Sequence, residues 1–264
     1  MNRTLTYAYA VLRAPDAPDP ASPAEVRGVA GAPVGLVRAG PLAAAVSPVP
    51  EEEFSEAALR VRLEDLAWLE TTARAHHFVI ETLAARTTVL PLRLATVYLD
   101  EPRVAEMLRE REEPLLALLD ELADHVEWGV KVYAEVPSGA PAAVPDGDTG
   151  APDTGRAYLR RRRRERQARD DTRRAAERTV RRTAELARDL AAQRVRHRPQ
   201  QGVLASEPGE NIANDAYLVP RALAEEFRER MLRAADGLPG VRVEVTGPWA
   251  PYSFTGPQEG AGER

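Results

Sequence analysis

The residues that could carry chemistry are few. The 264-residue chain has four histidines and no cysteine. Without cysteine there are no disulfides, thiolate zinc sites, iron–sulfur clusters or thiol nucleophiles. His76 and His77 are adjacent, so on a helix their rings diverge by about 100° and chelate one ion poorly. His76 also falls on an apolar stripe, where it reads as a satisfied core or interface histidine. His125 and His197 stand alone, and no H-x-x-x-H or H-E-x-x-H spacing occurs. The sequence contains no G-x-S-x-G elbow and no G-x-G-x-x-G turn. A P-loop would need its lysine to be Lys131, the only lysine, which lies in a predicted strand. Glu51, Glu52 and Glu53 form a carboxylate cluster, but a helix start accounts for them through the helix dipole. Catalysis needs a nucleophile, base or metal constellation. None is present, so no catalytic residue, cofactor site or metal ligand is expected.

Two features remain that favour partners over reactions. The first is an arginine run, Arg160 to Arg164. Between Arg156 and Arg198, 17 arginines face 6 carboxylates, a net of +11, while the rest of the chain holds 19 basic and 35 acidic residues, a net of −16. Arg160 and Arg163 are therefore candidate contacts. One reading is a phosphate-backbone binder, since each neutralised phosphate releases counterions. Against a nucleic-acid module, no aromatic is interleaved for base stacking between Leu159 and Arg198. In addition, Glu165, Asp170, Asp171 and Glu177 sit at helical pairing distance from arginines. A solvated helix or an acidic protein partner fits better. The second feature is the C-terminal segment TGPWAPYSF, which packs Trp249, Tyr252 and Phe254 into six residues stiffened by Pro248 and Pro251. These aromatics are expected to fold back over apolar surface; the alternative is a partner anchor, because large rigid aromatics dominate interface hot spots. The residues after Gly256 lack an apolar anchor and are expected to be disordered.

The elements that must position these residues follow from periodicity. At roughly 150 residues per domain the length suggests two domains. Aromatics are 5% of the chain, so the cores must rest on Leu, Val and Ala. Thr4 to Leu12 alternates Leu5, Tyr7, Tyr9 and Val11 and predicts a strand. Val34 to Arg38 and Leu42 to Val46 flank a Gly-Pro turn and predict a hairpin. One long helix is expected from Glu51 to Ala85, with Leu59, Leu63, Leu66, Leu69, Ala73, His76, Ile80 and Leu83 as its buried stripe. Thr88 to Tyr98 is extended. Asp100 caps a helix with Pro102 in its first turn, bent at Pro114. The second half predicts β (127–136), a Pro/Gly-rich loop (136–155), α (156–198), β (202–205), β (213–219), α (220–235) and β (241–246). This βαββαβ order is that of the ferredoxin-like unit. The expected fold class is thus α+β: an N-terminal α+β domain with long helices (1–126), a ferredoxin-like domain (127–246) and an extended aromatic tail (247–264). No apolar run reaches the roughly 18 residues of a membrane span. The N-terminal MNRTLTYAYAVL lacks the features of a signal peptide, so the expected compartment is the cytoplasm.

Five blocks in this order resemble the gas vesicle protein GvpF/GvpL family: HHFVI…TVLPLRLATVY (His76 to Tyr98), EWGVKVY (Glu127 to Tyr133), GRAYLRRRR (Gly155 to Arg163), AYLV (Ala216 to Val219) and TGPWAPYSF (Thr246 to Phe254). Leu94-Ala95 stands where the family more often has an aromatic and a glycine, and Ala250 where a proline is common. The resemblance implies a two-domain protein with a ferredoxin-like C-terminal half. It implies a non-enzymatic accessory or minor structural protein of gas vesicles that binds the hydrophobic shell protein during nucleation and limits its aggregation. Other gas vesicle accessory proteins would be further partners. The family carries no catalytic residues to transfer, and the choice between F and L is open from these motifs.

Overall fold

Alternation puts strands where the sequence has them, and the first of these organises the N-terminal half. The structure is a computed structural model that describes residues 3–17, 26–135, 154–199 and 209–256, with the side chains of 154–157 excepted. The described residues divide into two compact units, one built from those up to Glu127 together with 248–256, the other from those within Trp128–Gly247.

In the first unit β1 (Thr4–Arg13) is the centre of an antiparallel sheet. It pairs with β3 (Leu42–Pro50) along its whole length, and β2 (Gly35–Ala39) closes a hairpin onto β3 with Ala39 opposite Leu42. On the other side β1 pairs with β4 (Val89–Pro91) and β5 (Val97–Tyr98). Strict alternation does not survive along β1. The register slips between Ala8 and Ala10, a bulge that shifts the facing by one residue. Leu5, Tyr7, Tyr9 and Ala10 therefore share one core with Val79, Ile80 and Leu83, and Val11 does not join them.

The single helix expected over 51–85 is three: α1 (Glu51–Phe54), α2 (Glu56–Arg62) and α3 (Leu66–Ala84). The breaks are chemical. Ser55 accepts the Ala58 N–H and Asp65 accepts those of Ala67 and Trp68, so each starts a new helix as an N-cap. The stripe fails with the helix. Its C-terminal half, with His76, Ile80 and Leu83, is buried, whereas Leu63 and Leu66 are exposed. Asp100 caps α4 (Glu101–Glu110) through the Arg103 N–H, and α5 (Glu112–Leu122) follows after a break at Arg111. Pro114 has no N–H to give the Glu110 carbonyl, so the ladder is interrupted there. The buried Val104, Leu108, Leu115 and Leu119 line these helices, which touch β1 to β4.

The second unit is a four-stranded sheet in the order β7-β8-β6-β9. Its strands are β6 (His125–Ala134), β7 (Gln193–His197), β8 (Glu210–Pro220) and β9 (Val241–Trp249). Its helices are α6 (Thr154–Leu186) and α7 (Ala224–Leu232), the latter flanked by short 3-10 turns. The helix expected over 156–198 ends twelve residues early, at Leu186. Ala192 then donates to the Leu218 carbonyl, and Gln193 to His197 pairs antiparallel with β8. The run Gln-Arg-Val-Arg-His has the charge of a helix surface but alternates on an edge strand, and pairing decides. The strand expected at 202–205, residues 136–153 of the expected loop and the segment after Gly256 lie outside the described residues, while 154–155, expected in that loop, open α6. Ala176 and Val180 of α6 pack with Val132, Ala213, Val241 and Val243 of the sheet. Phe227 of α7 is buried against Trp128 and Tyr217, at ring separations of 6.4 and 5.3 Å.

Candidate interaction surface

The C-terminal aromatics belong to the first unit. Phe254 and Ala250 are buried, Tyr252 is half-buried and Trp249, at the end of β9, is 39% exposed. His77 on α3 receives them: its ring lies 5.4 Å from that of Trp249 and 6.1 Å from that of Tyr252. The Tyr252 hydroxyl is 3.3 Å from His77 Nδ1. Burial is the largest cause holding that phenol well above its usual range, and the nearby Glu81 and Glu127 carboxylates act in the same direction. Two carboxylates fix the backbone of the segment. Glu81 accepts the Ala250 N–H at 3.3 Å, and Glu127 accepts both the N–H and the hydroxyl of Ser253 at 2.7 Å. Neither carboxylate stands out in the sequence; the return of the chain brings them the Ala250 and Ser253 donors.

Beneath this region lies a buried polar network. The Tyr7 hydroxyl accepts the Ala95 N–H and donates to His76 Nδ1 at 3.0 Å, so Nε2–H is left to donate to the Leu92 carbonyl at 3.2 Å. Burial drives the His76 pKa down to about 4, against the Leu92 contact that favours the charged form. The imidazole is a neutral structural linker, as its place on the apolar stripe suggested. Tyr9 does the same work nearby: its hydroxyl accepts the Val29 N–H and bonds Ser47 at 2.6 Å. Gly28 makes room for it, since a Cβ there would sit 2.2 Å from the Tyr9 hydroxyl oxygen.

Apolar surface is concentrated where α2 turns into α3. Val61, Leu63 and Leu66 are 71%, 44% and 75% exposed, and Phe78 on α3 is 57% exposed. Reading 51–85 as one helix hid this corner; the Ser55 and Asp65 caps were the signal that would have revealed it. Arg160 and Arg163 lie in the second unit, on the exposed first half of α6. Among the described residues no group of three or more His, Asp or Glu side chains is placed to hold a metal ion, and no helix is long and apolar enough to cross a membrane.

These features coincide with a family pattern over nearly the whole chain: residues 5–256 match the gas vesicle synthesis protein GvpL/GvpF model. The chain belongs to the GvpL/GvpF family. It is 46% identical over 254 residues to Gas vesicle protein L of Streptomyces sp. (strain CB03234), covering 96% of this chain and 93% of that one. Gas vesicle protein F of the same organism is 28% identical over 255 residues, covering 94% and 98%. The fold matches the crystal structure of GvpF from Anabaena sp. PCC7120 with a TM-score of 0.65 at 18% identity, across 99% of this chain and all of that one. GvpF from Microcystis aeruginosa matches with a TM-score of 0.64, also at 18% identity, over 96% and 99%. The GvpL/GvpF family is a gas vesicle protein family and not an enzyme family.

Proposed function

We propose that this chain is a non-enzymatic gas vesicle accessory or minor structural protein that binds the hydrophobic shell protein, assists nucleation and limits shell-protein aggregation. It would do so in the cytoplasm, at the gas vesicle and beside other accessory proteins. The observation that carries this reading is the corner of exposed Val61, Leu63 and Leu66 in a member of this family. Contiguous exposed apolar side chains rimmed by polar ones mark surfaces that cover other apolar surfaces. Arg60, Arg62, Glu64 and Asp65 alternate with these residues along the chain.

The second unit is read as ferredoxin-like on its βαββαβ element order and its β9-β6-β8-β7 sheet, with the domain boundary near residue 126. Of the five contact candidates, Trp249, Arg160 and Arg163 present exposed side chains, whereas Tyr252 and Phe254 are largely taken up within the first unit. The deciding experiment is co-expression of the tagged chain with the shell protein, followed by pull-down and light scattering. The chain should retain the shell protein and delay its aggregation, and Val61→Asp/Leu66→Asp should lose both effects while melting normally. A shell protein that passes through unretained and aggregates at its own rate would refute the proposal.

A further inference from the structure

The N-terminal half of α6 buries nothing. Every residue from Tyr158 to Asp171 is exposed, and packing on the sheet begins only at Ala175. Over residues 158–174 there are nine arginines and three carboxylates, a net of +6. Helices in proteins owe their stability mainly to a packed face, so an all-round charged extension is an element without its partner.

Its charges are ordered. Arg162, Arg166, Arg169 and Arg173 follow at separations of four, three and four, one row about 16 Å long at the helical rise. Arg173 is engaged by Glu177 and Glu210, and Arg162 bonds the Tyr158 hydroxyl at 3.1 Å. Arg166 and Arg169 make no ion pair among the described residues.

The complement is present on the same chain. Residues 101–122, the span of α4 and α5, hold seven carboxylates and three arginines, a net of −4. Glu106, Glu110 and Glu113 recur there at the same separations of four and three, all exposed. Glu106 is paired with Arg103, while Glu110 and Glu113 make no ion pair among the described residues. The minority charges match as well. Glu165, Asp170 and Asp171 interrupt the arginines of α6, and Arg109 and Arg111 interrupt the carboxylates of α4 and α5.

We propose that the exposed half of α6 docks on the α4–α5 face of a second copy of this chain, with Arg162, Arg166 and Arg169 against Glu106, Glu110 and Glu113. A second copy is favoured over a polynucleotide because a phosphate backbone is uniformly negative. It would meet Glu165, Asp170 and Asp171 with repulsion, whereas the α4–α5 face offers cations to them. Mixed-sign complementarity of this kind sets register and excludes wrong partners. The side chains for base readout are also lacking: Tyr158 is engaged by Arg162, and Gln167 by Asp171.

Exposed ion pairs are individually weak and screened by salt, so the association should be modest and salt-dependent. The test is sedimentation velocity of the nuclease-treated full chain at about 50 mM and about 500 mM salt, where the screening length falls roughly threefold. Self-association is expected at low salt and should be lost at high salt. Arg166→Glu/Arg169→Glu and Glu110→Arg/Glu113→Arg should each be monomeric at low salt. Mixed one to one, they should associate again, because the reversed α6 row of the first meets the reversed α4–α5 face of the second. All four positions are exposed, and unchanged melting of both variants would show that they fold. The proposal is overturned by a wild-type chain that is monomeric at low salt, by association that survives both charge reversals, or by a mixture that does not recover. It is equally overturned if association requires added RNA or DNA, which would assign the row to a polynucleotide.

Discussion

Replacing Glu127 by alanine should release the C-terminal segment and destabilise the first unit by about 2–4 kcal/mol. The magnitude follows from the contacts. The Glu127 carboxylate is 8% exposed and accepts two hydrogen bonds of 2.7 Å, from the N–H and the hydroxyl of Ser253. A hydrogen bond to a charged group contributes roughly 1.5–3 kcal/mol, and a buried donor left without its acceptor costs about 1–3 kcal/mol. Relief of the carboxylate's own desolvation offsets part of that sum. Ser253→Ala removes one of the two bonds and should cost about 1–2 kcal/mol. Because both substitutions break the same clamp, the double variant should be little worse than Glu127→Ala alone, leaving a coupling of about 1 kcal/mol or more in the cycle. The assay is urea unfolding of the four proteins, paired with amide exchange of the peptide covering residues 249–256. Exchange there should rise in Glu127→Ala before the rest of the unit is affected. Additive losses, or an unchanged exchange rate in Glu127→Ala, would refute the idea that this carboxylate holds the segment.

Three further outcomes are expected. His76 is held neutral with its pKa near 4, below the unfolded value of about 6.5, so its stability contribution is complete above pH about 6.5 and is lost as the pH falls toward 4. By pH 5 the loss should be about 2 kcal/mol, and His76→Gln, although less stable at pH 7, should lack this slope in urea midpoints; parallel profiles would sink the account. Ala95 adopts φ 61°, a conformation that costs an L-residue roughly 1–2 kcal/mol. Ala95→Gly should therefore raise the melting temperature by a few degrees even after glycine's greater unfolded entropy, and a lower melting temperature would contradict it. Asp65→Ala, which strips the cap from two N–H groups at the start of α3, should cost about 1 kcal/mol, with Asp65→Asn restoring most of it in the same melt.

Much of the fold was legible in local chemistry. Alternating residues marked β1, β6 and β9, apolar runs about a Gly-Pro turn marked the β2–β3 hairpin, and Asp100 with Pro102 marked the start of α4, because strand pleat, turns and helix caps are short-range properties. Zero cysteine and the lack of metal or nucleophile spacings removed whole classes of chemistry before any fold was considered. Ordered blocks from His76 to Phe254 were enough to indicate the family.

Tertiary structure decided the rest. A run of leucines at helical spacing implied one buried stripe over 51–85. Two caps break that run and turn Leu63 and Leu66 outward, since a capped N–H satisfies the backbone locally while burial depends on what lies opposite. The bulge in β1 and the turn of Gln193 to His197 from helix to strand were set by the partners β3 and β8, which lie 30 or more and 20 or so residues away in sequence. Glu81 and Glu127 meet the Ala250 and Ser253 donors only because the chain returns to them. Periodicity reports which side of an element is apolar. Only the packed chain decides which neighbour covers that side and which charges are left facing water.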